Sequence, residues 1–346
     1  MAQVAAKSVL LFGGRASEIA TPPHCMETVA LACEAMATRF EVVLHGEDPT
    51  HLRAAGEEAL EEIVRLEARL SLYQPASEIA RVNARAAEAP VRVSPAVFQL
   101  LTDAQRLSRE TKGTFDITVA PLVRCWGFMG GTGRLPTPEA VAEAREKVGM
   151  EHLELRAEDL TVRFARGGMM IDLGAIGKGY ALGCAAELLR EAGITSALLH
   201  GGTSSVYAIG GPPDQADWRI AVAYPGADKA AKKEVLATIG IRDEALSVSA
   251  IWGRAFEAEG QLLGHVLDPR TGYPVTGAQL AAVVLPSAME TDALSTGMLV
   301  LGEAAQDRLS ESRPGSRSLL LQTEGEASRF RVSSRGIPIS ARQNAV

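Results

Sequence analysis

Helical and strand periodicities are segregated along this chain, and that segregation restricts its fold more than any other feature. Leu60, Ile63, Leu66 and Leu70 recur at helical spacing, predicting one long amphipathic helix from Thr50 to about Leu72. Ser77 is placed to cap a short second helix. Ser94-Pro95 opens a third helix that Gly113 ends, and Thr137-Pro138-Glu139 opens a fourth running to about Lys147. Only "TRFEVVLHG", turned by Gly46-Glu47-Asp48-Pro49, reads as a strand before these helices. From residue 150 onwards strands dominate: "LTVRF", "SALLHGG", "WRIAVAYP", "EVLATIGI", "ALSVSA", "GHVLDP" and "LAAVVLP". Helices interrupt them near Gly177 and from about Met289 to Leu301, and "SLLLQT" with "RFRVSS" reads as a closing hairpin. Helices early and strands late favour an α+β fold over an alternating parallel sheet. Ordered pattern begins near Glu34, so residues 1–33 read as a ragged N-terminal segment and 34–346 as one domain, helix-rich to about 150.

Charge and apolar content narrow the function classes. A net charge of −7 over 346 residues argues against a broad nucleic-acid footprint, which needs clustered Lys and Arg. The most basic run, Asp228 to Glu234, is short and mixed in sign, and reads as a solvated helix face. Cys25, Cys33, Cys125 and Cys184 lie apart without Cys-x-x-Cys pairing, so they read as reduced thiols rather than as a zinc site. No apolar run approaches the roughly eighteen residues of a membrane span. Val9 to Gly14 is shorter than the hydrophobic stretch of a secretory signal, which points to a cytoplasmic protein. The alternative is an exported or periplasmic one whose leader is missing through truncation or a misassigned start.

Four stretches hold more polar residues than their elements require. "IDLGAIGKGY", from Ile171 to Tyr180, puts three glycines and Lys178 where a helix begins, a place that suits an anion. It is not an ATP loop: two residues, not four, separate Gly174 from Gly177-Lys178, and no Ser or Thr follows the lysine. The bland alternative is a glycine-rich turn with a surface lysine. In "ETDALSTGMLVLG", Asp292 and Thr296 share one helix face, and oxygen ligands at that spacing suit a hard cation such as Mg²⁺. The competing structural role is a Thr bonding back to the i−4 carbonyl. "GHVLDPRTGYPV" sets His265, Asp268, Arg270 and Thr271 close together, a denser polar set than a turn needs. Gly113 to Thr118, with Thr114, Phe115 and Asp116, is by itself adequately explained as a helix C-cap and a capping Asp. His200-Gly201-Gly202 is similar to an esterase oxyanion loop, but the chain has no Gly-x-Ser-x-Gly elbow.

In this order the stretches resemble the ApbE family, the FAD:protein FMN transferases. The resemblance rests on Met36-Ala37-Thr38, "SLYQPASEIARVN", "GTFDITVAPLVRCWGF", "IDLGAIGKGYA", "LLHGG", "GHVLDPRTGYPV" and "TDALSTGMLVLG", spread over residues 36 to 302. It implies a T-fold-like architecture of mixed sheets with flanking helices, and FAD in a cleft between two lobes. It further implies Mg²⁺-dependent transfer of FMN from FAD to a threonine hydroxyl of a partner flavoprotein, with release of AMP. Met36, Tyr73, Thr114, Phe115, Asp116, Asp172, Lys178 and Val266 would then line the FAD site. Asp292 and Thr296 would hold Mg²⁺ with the carbonyl of Ala175. His265 would be the general base, and Lys178 would assist at the pyrophosphate. The acceptor would carry a Ser/Asp-Gly-Ala/Ser-Thr motif.

The chain departs from the family pattern in places. Ala37 stands where the family has Gly, and Val248-Ser249-Ala250 replaces Thr-Ser-Gly. Ile251 or Trp252 takes a tyrosine position, Thr203 replaces an Asp, and Ser295 occupies a position that is acidic in some members. These changes leave two alternatives open: an FAD pyrophosphate hydrolase giving FMN and AMP, and a non-catalytic FAD-binding protein.

Overall fold

The computed structural model describes residues 9–11, 26–224, 234–258, 260–324 and 329–340. Cys25 and most of the basic run, residues 228–233, lie outside the described residues. The centre of the fold is an eight-stranded sheet whose spatial order is its chain order. Its strands are β1 (Glu27–Ala35), β2 (Thr38–Gly46), β3 (Ala197–Gly201), β4 (Ser205–Ile209), β5 (Ala245–Ala250), β6 (Ala278–Leu285), β7 (Arg317–Glu324) and β8 (Arg329–Arg335). Every neighbouring pair is antiparallel. The α+β expectation therefore holds, and the helices enter as insertions between strands rather than as parallel crossovers.

Alternation along the strands gives the sheet two different faces. Phe40, Val42 and Leu44 on β2, with Leu199 and Tyr207, bury one face under helices α1 (Pro49–Leu70), α6 (Gly177–Glu191) and α7 (Ala288–Leu301). Leu198, Val206, Leu246 and Val284 bury the other face against strands Trp218–Ala223 and Val235–Ile241. Strand Val9–Leu11 pairs with the first of these two outer strands. Between β2 and α6 run α2 (Glu78–Arg85), α3 (Pro95–Glu110), α4 (Ala120–Cys125) and α5 (Pro138–Arg145), with a small sheet built from 91–92, 153–156 and 161–164.

The sequence reading and the structure differ at several places, among them strand Val9–Leu11 inside the ragged segment, strand Ser205–Ile209 and the helix Glu303–Ser312, none of which the sequence reading names. β1 occupies part of the segment read as ragged, because its pattern of small and polar residues carries little β signal on its own. "GHVLDP" is not a strand: Gly264 ends the hairpin 255–258/261–264, and the chain beyond makes a single bridge, Leu267 to Pro274. α4 was not foreseen, since six residues are too few for a helical period to show. Among the described residues, no helix is long and apolar enough to cross a membrane, and Cys33, Cys125 and Cys184 are free thiols.

The β1–β2 hairpin turns at Met36 and Ala37, both left-handed, with φ of 50° and 57°. Two such residues match the twist of the flanking strands, but a Cβ in that region costs roughly 1–2 kcal/mol. Ala37→Gly should therefore stabilise the protein by about 1 kcal/mol, after allowing for glycine's larger unfolded-state entropy. Denaturant unfolding of the two proteins checks this, with a higher midpoint expected for the variant.

Candidate active site

A cavity of about 500 Å³ opens beside the helix-covered side of the sheet, a size within the usual range for small-molecule sites. Its wall joins segments far apart in sequence: the β1–β2 turn, the loop after α3, the start of α6, the end of β5, the loop after the 255–264 hairpin, and α7. All twelve residues singled out from sequence line this one space: Met36, Tyr73, Thr114, Phe115, Asp116, Asp172, Ala175, Lys178, His265, Val266, Asp292 and Thr296.

The joint between α6 and α7 organises the anionic end. A Cβ on Gly179 would sit 2.1 Å from the Ala288 carbonyl oxygen and 2.8 Å from the Asp292 Cβ, so only glycine lets the helices approach this closely. At that distance the Gly179 N–H donates to Asp292 Oδ2 (3.0 Å), and Lys178 Nζ stands 3.7 Å from the same oxygen. Asp292 Oδ1 accepts from Ser205 Oγ (3.2 Å) and Ser247 Oγ (3.1 Å), which β4 and β5 direct to the helix face. A carboxylate that is only 3% exposed needs such partners to remain in place. One turn on, Thr296 Oγ1 donates to the Asp292 carbonyl (3.2 Å) and lies 3.1 Å from Ser249 Oγ. The structural role of Thr296 and its exposure to the cavity thus coexist.

The donor set suits Mg²⁺. Asp292, the Thr296 hydroxyl and the Ala175 carbonyl share the cavity wall and offer oxygen alone, as a hard cation requires. Among the described residues, no group of three or more His, Cys, Asp or Glu is arranged to hold a metal ion.

Asp172 is anchored by backbone. Asn83 donates from Nδ2 to the Ile171 carbonyl (2.9 Å) and accepts the Ile171 N–H at Oδ1 (2.7 Å), clamping the segment that carries it. The Asp172 N–H donates to the Ile117 carbonyl, joining this segment to the one that carries Asp116. Burial raises the Asp172 carboxyl above its usual range, opposed by the Gly174 N–H and by the charges of Lys178 and Arg254. Burial also pushes Asp116 up to about 6, with the Glu151 charge adding to it and two hydrogen bonds from Thr118 opposing it.

His265 Nδ1 lies 3.1 Å from the Arg254 carbonyl oxygen and 3.4 Å from the Arg254 nitrogen; the shorter contact favours the tautomer in which Nδ1–H donates to the carbonyl and Nε2 keeps its lone pair. Burial, then the Arg254 and Lys178 charges, hold the imidazole below its ordinary pKa, outweighing that carbonyl bond. Phe128 packs edge-on to the ring at 6.4 Å.

The rest of the "GHVLDPRTGYPV" polar set is structural. Arg270 pairs with Asp268 through Nε and Nη2 (2.9 and 2.8 Å), and the Gly272 carbonyl accepts from Trp126 Nε1 (2.8 Å). Sequence reasoning gave no role to Arg254 or Asn83. Arg254 follows an unremarkable Trp-Gly pair, whereas Asn83 stood inside a quoted stretch and could have been questioned as a polar residue on a short helix.

The raised Asp116 sets a pH dependence. Because its folded pKa lies above the unfolded value, the wild-type protein loses stability as pH rises from the unfolded pKa through about 6. Asp116→Asn keeps an acceptor for Thr118 and removes that titration. The difference in melting temperature, variant minus wild type, should therefore grow between pH 4 and pH 7; a difference independent of pH would contradict the raised value.

A family model described as the ApbE family matches residues 36–320. The chain is 33% identical over 265 residues to the FAD:protein FMN transferase of Salmonella typhimurium, covering 74% of this chain and 73% of the relative. It is 30% identical over 309 residues to the transferase of the same name from Haemophilus influenzae, covering 86% and 88%. Among solved structures, the ApbE protein of Thermotoga maritima superposes with a TM-score of 0.79 at 27% identity, covering 89% of this chain and 97% of that one. The flavinyl transferase ApbE of Pseudomonas stutzeri, in its apo form, gives 0.77 at 26% identity, covering 90% and 95%.

Proposed function

The chain belongs to the ApbE family, and on that footing we propose that it is an FAD:protein FMN transferase acting on a threonine hydroxyl of a partner flavoprotein. The observation that carries this reading is the meeting, in one cavity, of the half-buried His265, the Lys178 cation and the oxygen donors of Asp292 and Thr296. A protein that only stored FAD would not need a base facing that site.

In the proposed reaction the acceptor threonine Oγ attacks the FMN-side phosphorus of FAD. A new Oγ–P bond forms, the bond from that phosphorus to the bridging oxygen breaks, and AMP leaves with that oxygen. His265 Nε2 takes the hydroxyl proton, a role open to a ring that is neutral near neutral pH. Lys178 supplies a point charge to the pyrophosphate, where phosphoryl transfer depends on positioning and charge neutralisation. Asp292, Thr296 and the Ala175 carbonyl would hold Mg²⁺, which when bound neutralises charge on the pyrophosphate oxygens. Met36, Tyr73, Thr114, Phe115, Asp116, Asp172 and Val266 would line the remainder of the FAD site. Tyr73 at 61% exposure forms the rim, and Phe115 at 1% the floor. The acceptor sequence consistent with this family is Ser/Asp-Gly-Ala/Ser-Thr.

The test is incubation with FAD, Mg²⁺ and a protein carrying that motif. Flavin fluorescence retained on the denatured acceptor is expected. Free FMN and AMP would identify a hydrolase, and unchanged FAD a carrier. His265→Asn should lower transfer by roughly 10²–10⁴-fold with FAD affinity little changed, the contribution usual for general-base catalysis. Because the imidazole must be unprotonated to act, the lowered pKa places the acidic limb of the wild-type pH–rate profile below pH 6.5. A limb above that value would remove His265 from this role.

A further inference from the structure

The end of β5 is an unfinished sheet edge inside the active-site cavity. β5 pairs with β6 along its whole length, from Ala245↔Leu285 to Ala250↔Leu280. Its pairing with β4 stops three residues sooner, at Ser247↔Ser205, because the chain turns there through Gly202, Thr203 and Ser204. Beyond that point Val248, Ser249 and Ala250 all line the cavity. Successive side chains of a strand point to opposite faces, so three consecutive lining residues mean that the cavity runs along the strand's edge.

The direction of the main-chain groups follows from two hydrogen bonds. The Ile251 N–H donates to the Gln279 carbonyl on the β6 side, and the Val248 N–H donates to the Ser204 carbonyl on the opposite side (2.7 Å). Antiparallel alternation then turns the N–H and C=O of Ala250, and the C=O of Val248, away from β6. Among the described residues no backbone bond closes that side beyond Ser204. A donor and an acceptor flanking Ser249 are the template an added strand uses. This edge is also next to the reacting residue: a Cβ on Gly264 would lie 2.5 Å from the Ile251 carbonyl oxygen, so the chain just after Ala250 abuts the chain just before His265.

We propose that the acceptor polypeptide binds as an extended strand along Val248–Ala250, pairing with the Ala250 N–H and with the Val248 and Ala250 carbonyls and so carrying its threonine to His265. This rests on the transferase reading, and it adds how the protein substrate is held. Main-chain pairing recognises an extended backbone with small side chains, which Gly-Ala/Ser-Thr would supply. It also accommodates Val248 and Ala250, because the outward groups belong to the backbone.

The test uses a synthetic peptide containing Asp-Gly-Ala-Thr and a set of its analogues, each N-methylated at one backbone nitrogen. With wild-type protein, FAD and Mg²⁺, methylation should lower transfer at alternate positions only, by roughly tenfold for each lost hydrogen bond, and leave the intervening positions near normal. Ala250→Pro removes the outward N–H without touching the ladder to β6, so it should raise the KM for the peptide by a similar factor and leave FAD affinity unchanged. The methylated peptides keep the test valid should the proline variant fold poorly. Transfer to the unmodified peptide combined with uniform tolerance, or with no two-residue period, would overturn strand docking and leave the transferase reading intact. No transfer to the unmodified peptide, with FAD cleaved to FMN and AMP, would overturn the transferase reading and the docking with it.

Discussion

The site depends on the crossing of α6 over α7, where the Gly179 main chain meets Asp292. A buried carboxylate is tolerable only with several donors in reach, and here one helix and two strands supply them to Asp292 on α7. Replacing the hydrogen on Gly179 by a methyl would drive the helices apart, because the nearest obstacle is the rigid Ala288 carbonyl. One contact therefore sets the helix spacing, orients Asp292 and brings Lys178 beside it. Of the glycines in the 171–180 segment, Gly179 is the one that serves as a means of close approach.

Around this joint, charge and burial separate three roles. Lys178 and Arg254 make the cavity lining cationic, which suits a pyrophosphate. Burial and those same cations lower the His265 pKa, so in the proposed reaction the charges that would attract the substrate would also ready the base. Asp116 and Asp172 are raised by desolvation. The burial that shapes the cavity thereby also disfavours negative charge on these two carboxyls.

Membership of the ApbE family and the FMN-transferase activity of its named relatives agree with this division of roles. The departures from the family pattern are spread around the cavity, and one of them, Ser295, donates to the Asp292 carbonyl (3.1 Å). Ala37 adopts a left-handed turn that suits glycine, while Val248 and Ala250 lie on the strand edge, where the backbone carries the recognition. Neither change touches Asp292, Lys178 or His265.

Much of the molecule was legible in the chain itself. The long periodic helix from Leu52 to Leu70, the capping serines at 77 and 94, and the late strands follow from local spacing and side-chain hydrogen bonding. Lys178, His265, Asp292 and Thr296 stood out because their motifs hold more polar residues than their elements need, whereas Met36, Tyr73, Thr114, Phe115, Asp116, Asp172, Ala175 and Val266 were reached only through the resemblance to the ApbE family. Weak local signals failed: β1 is stabilised by pairing with β2 rather than by its own pattern, and the six residues of α4 are too few to show a period. The tautomer of His265, the mutual pairing of Asp268 with Arg270, and the Asn83 clamp on Ile171 all depend on partners far away in sequence or on how a turn closes. Sequence alone thus determined where helices and strands begin and which motifs are dense in polar residues, since composition and spacing are local. Tertiary structure decided which of them meet, which neutralise one another, and where a sheet edge is left open, because those outcomes depend on how far apart helices and strands can pack.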